Sequence, residues 1–461
     1  MKKVQNEKIK EFEEYIAQLM TKEEAVGIAV AVIDSEGNNL YENYFGYRDA
    51  EKKLSINSDT VFGIASITKS FTSLASMLLA EKSLLKIEDP VSLHMPEFAH
   101  KNITIEHLLT HSGGFYPQPR KYLPQFLEDS GYKISEDDDP AFSGPLTKKA
   151  TEQLLDALNK VDKMIGPPGE FISYCNDGYN LLGSLLCRLS GIETFAALVD
   201  KYILSPLSMT RSSSAYNWKD ENVSRLYQHR EGKLCGDWNF YESQSSLPAA
   251  GALKSTISDM KKYARMYLNR GQLSDKSRFI SSKGVERMIR PYINSGLNSY
   301  YGYGLRIKPL ADLTIIEHGG DNPGVSSNMA FNYETGIAVI ILCNTSKVSV
   351  ASASDLAMLI FSGKDTTAFK QTPEPVEWDE EFMKQVCGTY LSGEGNTIRI
   401  GLIDKQFSVN LDGSETIAYP FNNYMINVKA KVDDIRAKIY TDDAGKVWAL
   451  GGGLRIIPKV E

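Results

Sequence analysis

The sequence predicts an α+β fold: one antiparallel sheet flanked by helices, with a helical region inserted between its strands, followed by a small all-β, barrel-like domain. Strand-like runs occur before Tyr47 and return after Leu313, so both ends of the larger unit build one sheet. The stretch between them, from about Asp89 to Lys308, is rich in helix and loop patterns. Beyond Glu380 the texture changes to short alternating strands separated by polar turns, the pattern of a small barrel or sandwich.

Taken in order, Ile9, Phe12, Ile16 and Met20 recur at helical spacing and predict an amphipathic N-terminal helix. Ala25–Asp34 and Asn39–Tyr47 read as strands joined by the turn Ser35-Glu36-Gly37-Asn38. Ile67, Phe71, Leu74, Ala75 and Leu78 mark one buried face of a helix that begins near Ser66. The acidic, Pro140-containing stretch Ser135–Gly144 reads as an exposed loop. Leu313–Glu317, Asn328–Asn332 and Ile337–Asn344 are the returning strands, the last two joined at Tyr333-Glu334-Thr335-Gly336, and an amphipathic helix spans about Val350–Phe361. These divisions give a first domain over 1–369, a linker over 370–379 and a barrel-like domain over 380–461. The barrel strands are expected at Gly388–Leu391, Thr397–Leu402, Gln406–Leu411, Thr416–Phe421, Met425–Val428, Lys438–Thr441 and Val447–Leu450.

With 51 Lys and Arg against 58 Asp and Glu the chain is acidic, and it has no basic tract interleaved with aromatics, so nucleic acid is not an expected partner. No run of about 20 apolar residues signals a membrane span. The five cysteines are scattered, odd in number and without a Cys-x-x-Cys, as expected of reduced thiols in a cytoplasmic protein, unless a signal peptide was removed. The six histidines contain no His-Glu-x-x-His, so no metal is expected, and no organic cofactor is signalled.

The chemistry concentrates in Phe62-Gly63-Ile64-Ala65-Ser66-Ile67-Thr68-Lys69. Residues three apart on a helix share a face, so the Lys69 amine can reach the Ser66 hydroxyl. A serine at a helix N-terminus sits among unpaired N–H groups that can stabilise an oxyanion. A desolvated lysine loses affinity for its proton and can accept that of the serine. Spacing alone is weak, because Ser83–Lys86 and Ser258–Lys261 share it and read as helical surface. Position distinguishes Ser66: glycine and apolar residues precede it and a buried helix follows.

A second element is Tyr174-Cys175-Asn176, in which a tyrosine beside an ammonium can hold a lowered pKa and relay protons, and an asparagine can hold a substrate amide. Tyr41-Glu42-Asn43 and Tyr292-Ile293-Asn294 match the same pattern, and taken by itself the element is better read as a helix N-cap with a core tyrosine. A third is His318-Gly319-Gly320-Asp321, at a predicted strand end, where small residues let a substrate backbone lie along the strand edge. A glycine-rich turn is the plainer alternative.

In this order and separation the three elements resemble the serine β-lactamase and penicillin-binding protein superfamily, in its class C-like branch of esterases, D-aminopeptidases and DD-peptidases. Leu108-Leu109-Thr110-His111-Ser112-Gly113-Gly114, Gly251-Ala252-Leu253-Lys254-Ser255-Thr256 and Tyr301-Gly302-Tyr303-Gly304 resemble further phrases of that branch. The resemblance covers about residues 7–365 and implies a β-lactamase/transpeptidase-like fold; the C-terminal part resembles the lipocalin-like barrel of some members. It implies Ser66 as the acylated nucleophile, Lys69 as its base and Tyr174 as proton relay. It further implies Asn176 as holder of the acyl-side amide, with backbone N–H groups of Ser66 and Asp321 as oxyanion hole. His111 falls in a segment whose implied role is structural.

Where β-lactamases and DD-peptidases carry Lys-Thr-Gly, this chain has His318-Gly319-Gly320. The exchange removes a cation and a hydroxyl that would engage a substrate carboxylate, and Asp321 adds negative charge. The expected substrate is therefore a neutral or amine-bearing small ester, amide or short peptide. Asp321 as an ammonium holder, as a D-aminopeptidase would need, is a sharper variant. β-Lactam or DD-peptide hydrolysis, transacylation and a non-catalytic acylatable sensor are the alternatives, and a homo-oligomer is compatible with the sequence.

Overall fold

The computed structural model describes residues 6–118, 122–133, 139–216, 220–240, 245–370, 372–430, 434–452 and 454–460. Part of the expected Ser135–Gly144 loop and Gln371 of the expected linker lie outside them.

Helix α1 (Asn6–Lys22) leads into β1 (Gly27–Asp34), β2 (Asn39–Asp49) and the short β3 (Leu54–Ser55). Helix α2 (Thr68–Glu81), α3 (Asn176–Ser190) and α4 (Ile257–Leu268) belong to the inserted region, and the chain then returns through six strands: β4 (Ile293–Gly296), β5 (Ser299–Tyr301), β6 (Arg306–Leu310), β7 (Leu313–Asn322), β8 (Val325–Asn332) and β9 (Ile337–Cys343). They form one antiparallel sheet in the order β3-β2-β1-β9-β8-β7-β6-β5-β4, so the first and last strands of the unit, β1 and β9, are neighbours at its centre.

Both faces of that centre are buried, which explains the nearly continuous apolar runs of β1 and β9. Side chains alternate across the sheet with a period of two. Ala29, Ala31 and Ile33 join the core shared with α2 and α4. Ile28, Val30 and Val32 face α1 and the apolar helix α5 (Val350–Phe361) on the other side. The layered α+β architecture expected from the sequence is present.

Four details differ from the expectation, one of them an eighth barrel strand, Arg455–Pro458, beyond the seven expected. The hairpin β4–β5 and strand β6 extend the sheet toward one edge within the stretch expected to be helix and loop; they are short, too brief to display a period. β7 does not stop at Glu317 but runs on to Asn322, because Gly319 and Gly320 keep full ladder pairing with Asn328 and Ser327. A helix, α6 (Glu380–Val386), capped by Asp379, precedes the barrel strands.

The C-terminal sheet has eight antiparallel strands, from Gly388–Leu391 to Arg455–Pro458, each paired with its sequence neighbour. A Tyr390–Lys459 bridge brings the first and last strands together, so the barrel is nearly closed. Phe407, Val409, Ile426 and Ile439 fill it, with α6 contributing Met383 and Val386.

Candidate active site

The turn that carries Ser66 is fixed from several sides. Ala65–Ile67 form a single 3-10 turn and the α-helix begins at Thr68, two residues after the start that the apolar spacing predicts. Ala65 adopts a left-handed backbone conformation (φ 44°), which costs a residue with a Cβ about 1–2 kcal/mol and must be imposed by its surroundings. The Thr68 hydroxyl donates to the Ala65 carbonyl (2.6 Å) and accepts from Leu253 N (3.1 Å). Ser327 Oγ, on β8, donates to the Ile64 carbonyl at 2.8 Å. The Ser66 hydroxyl thus leaves the helix axis at a rigid, constrained corner.

Lys69 is wholly buried. Its Nζ donates to Ser66 Oγ (3.2 Å), Asn176 Oδ1 (2.8 Å) and the Ala250 carbonyl (2.6 Å). Acceptors of this kind around Nζ suit an ammonium ion. Ala250 is itself held by Asn180 Oδ1, which accepts from Ala250 N at 3.1 Å.

Tyr174 and Asn176 flank the N-cap of α3, Cys175, so the turn into the helix presents both toward Lys69; neither acts as the cap. The Tyr174 ring lies 4.6 Å from Lys69 Nζ, and Tyr174 and Ser66 line the same cavity. Burial pushes the phenol upward, outweighing the opposing effects of the nearby Ser66 hydroxyl and the Arg455 guanidinium. The lowered pKa expected for Tyr174 is therefore not found, because desolvation of the ring dominates. In the resting site it is a neutral hydroxyl, able to donate.

His111 packs its ring 4.2 Å from that of Tyr174, and its Nδ1 accepts from Cys175 N (3.1 Å). It adopts a left-handed backbone (φ 55°) and is held neutral by burial and by neighbouring cations, Lys69 first. It orients the Tyr174–Asn176 turn from beneath.

His318, Gly319, Gly320 and Asp321 lie along β7 and border the cavity above Ser66. His318 is buried, with Nδ1 2.6 Å from the Gly319 carbonyl and Nε2 2.9 Å from Tyr301 Oη. A carbonyl only accepts, so Nδ1 carries the proton and Nε2 accepts from Tyr301. Burial, with Lys69 nearby, lowers its pKa to about 4. The neutral imidazole is a wall with both nitrogens engaged. Asp321 is exposed, and its carboxylate accepts from Lys347 N (3.2 Å).

The cavity encloses about 370 Å³ and is bordered by Ser66, Tyr174 and the β7 segment; Lys69 and Asn176 support it from behind. Three contributors were not anticipated from the sequence. Arg306 on β6 lines the cavity, as does Arg455 from the last hairpin of the barrel, paired with Glu394 (2.7 Å). The Ala250 carbonyl is the third. No short motif marks any of them, since each arrives through a long-range contact. Among the described residues no group of three or more His, Cys, Asp or Glu side chains could hold a metal ion.

The protein-family model described as Beta-lactamase matches residues 12–360. Penicillin-binding protein 4* of Bacillus subtilis (strain 168) is 26% identical over 329 residues, 68% of this chain and 67% of that protein. The structure of the octameric penicillin-binding protein homologue from Pyrococcus abyssi superposes with a TM-score of 0.66 at 26% identity, covering 98% of this chain and all of that one. SurE has the same fold, with a TM-score of 0.69 at 19% identity over 98% of this chain and 99% of its own.

Proposed function

The chain belongs to the beta-lactamase family, and we propose that it is a serine hydrolase that cleaves a small ester, amide or peptide through an acyl-enzyme on Ser66. The observation that carries this reading is Lys69 Nζ at 3.2 Å from Ser66 Oγ, with the Tyr174 ring 4.6 Å from the same Nζ and on the same cavity as Ser66.

Lys69 acts as base once it has given up a proton, taking that of Ser66 as Oγ attacks the substrate carbonyl. The neutral Tyr174 phenol donates to the leaving group and is reprotonated through Lys69. Backbone N–H groups of Ser66 and Asp321 receive the oxyanion. Asn176 spends its carbonyl on Lys69, so its amide N–H₂ is what remains for a substrate carbonyl. Water then repeats the sequence on the acyl-enzyme. The strand edge at Gly319-Gly320 supports the substrate backbone.

The barrel is a separate unit in this reading, with boundaries near 369 and 380. Its own apolar core supports that division. Assembly into a homo-oligomer, suggested by the octameric neighbour, is read by light scattering on the purified chain.

Intact-mass analysis of wild type and Ser66→Ala after exposure to an activated ester and to benzylpenicillin tests the proposal. A wild-type adduct that is absent from the variant supports it, and the adduct's lifetime separates hydrolysis from trapping. Equal ester turnover by both proteins would sink it.

A further inference from the structure

The last hairpin of the barrel reaches into the site. Leu454 O accepts from Tyr174 N (2.9 Å), and Ile456 N lies 3.5 Å from Ser173 Oγ. The hairpin therefore docks on the backbone that carries the Tyr174 turn. The next side chain, Arg455, projects its guanidinium over the Tyr174 ring at 5.0 Å from the centroid, and Glu394 steadies it through Nε (2.7 Å) and Nη2 (3.2 Å).

Arg455 and Leu454 border two cavities. One is the 370 Å³ pocket above Ser66. The other is a cleft of about 1060 Å³ between the edge of the large sheet and the barrel wall. Arg306 and Glu317 are also common to both, so pocket and cleft share the wall that carries the two arginines.

The cleft is strongly cationic. Seven Lys and Arg residues line it against three carboxylates. Glu317 and Asp355 are both consumed by Lys308 (3.0 and 2.8 Å), and Asp434 by Lys429 (2.9 Å). Arg306 keeps only a loose 3.8 Å approach to Glu317, and its buried Nε has no hydrogen-bond partner among the described residues. Lys22, Arg436 and Lys438 line the same space without a carboxylate within ion-pair distance among the described residues. A buried guanidinium N–H without an acceptor carries a desolvation cost that an anionic ligand would relieve.

Resting on the acyl-enzyme reading, we infer that this cleft is the leaving-group site, and that the leaving portion of the substrate is acidic. It carries a carboxylate near the scissile bond, held between Arg455 and Arg306, and further anionic groups along the barrel wall toward Arg436 and Lys438. The volume suits several residues of an acidic peptide or a chain of similar size. Chemically, Ser66 Oγ bonds to the carbonyl carbon and the bond from that carbon to the leaving heteroatom breaks. The Ser66 proton passes by Lys69 and Tyr174 to that heteroatom, and the acidic fragment departs with its carboxylates unchanged. The neutral or amine-bearing substrate expected from His318-Gly319-Gly320 is revised on the leaving side: the cation missing from β7 is supplied from the barrel.

The test uses the full chain and two acetyl esters of matched leaving ability, a 3-hydroxybenzoyl-Asp-Asp ester and its 3-hydroxybenzoyl-Asn-Asn counterpart. Wild type should prefer the acidic ester in kcat/KM by about tenfold or more, as charge-assisted hydrogen bonds allow, with the preference shrinking as salt rises. Arg455→Gln should abolish most of that ratio. Arg436→Gln/Lys438→Gln, one exposed and one half-buried position on the barrel wall, should lower it several-fold, with thermal unfolding as the check on folding. Because the readout is a ratio, a general loss of rate does not imitate it. Binding of free 3-hydroxybenzoyl-Asp-Asp, followed by calorimetry at low salt, gives a readout that needs no turnover and should weaken in both variants. Equal rates on the two esters, or no salt-sensitive binding of the acidic fragment by wild type, would overturn the inference while leaving Ser66 acylation standing. Turnover that survives Ser66→Ala would instead remove the acyl-enzyme reading beneath it.

Discussion

Replacing Gly320 by alanine isolates the contact between β7 and the Ser66 turn. A Cβ built on Gly320 would lie 2.4 Å from the Ile64 carbonyl oxygen, 2.4 Å from Ser327 Oγ and 3.0 Å from Ala65 Cβ. Two of these atoms belong to the corner that aims the nucleophile, and Ser327 already donates to that same Ile64 carbonyl. Ordinary contact begins near 3.4 Å, so strand and turn must separate by about 1 Å, a displacement that costs a catalytic arrangement about 100-fold in rate. Overpacking of this kind destabilises by about 1–3 kcal/mol. The neighbouring glycine supplies the comparison: a Cβ on Gly319 meets nothing closer than 3.6 Å, so Gly319→Ala should be much the milder change. Acylation rates by an activated ester, followed by intact mass, and urea unfolding would measure both effects. Equal acylation rates for the two variants, or a slower Gly319→Ala, would refute the reasoning.

Lys69→Met should lower acylation by about 10²- to 10⁴-fold, the usual loss on removing a general base, while thermal unfolding shows the chain still folded. A variant acylated at the wild-type rate would exclude Lys69 as base. His318 gives a pH prediction: its folded pKa is about 4, below the unfolded value, so the unfolded chain binds the extra proton first. Its contribution to stability is complete above about pH 6.5 and is lost as pH falls toward 4. Unfolding free energies of wild type and His318→Gln across that window should therefore converge at acid pH. A constant difference would contradict it.

The elements legible in the sequence are those whose logic is local. Ser66 and Lys69 are three residues apart, Tyr174 and Asn176 two, and the apolar spacing of Ile67, Phe71 and Leu74 announces the helix that carries the first pair. The strand pattern of β1 and β9 was readable because burial on both faces demands unbroken apolar runs. The short strands β4 to β6 were not, since runs of three to five residues carry no readable period. Arg306 and Arg455 could not be foreseen either. Each is an ordinary surface arginine by local composition, and only tertiary packing sets it beside Tyr174 or Glu317. The raised Tyr174 pKa has the same origin: proximity of a cation can be guessed from a motif, whereas the depth of burial cannot.

The bond from Tyr174 N to Leu454 O, and the companion approach of Ile456 N to Ser173 Oγ across 283 positions of sequence, also set an order of events. A chain made from its N-terminus holds Ser66, Lys69 and Tyr174 long before the final hairpin exists. Until that hairpin arrives, the pocket lacks one wall and both Leu454 and Arg455. A young chain thus carries its nucleophile in a more open pocket until residues 454 and 455 have been made and docked.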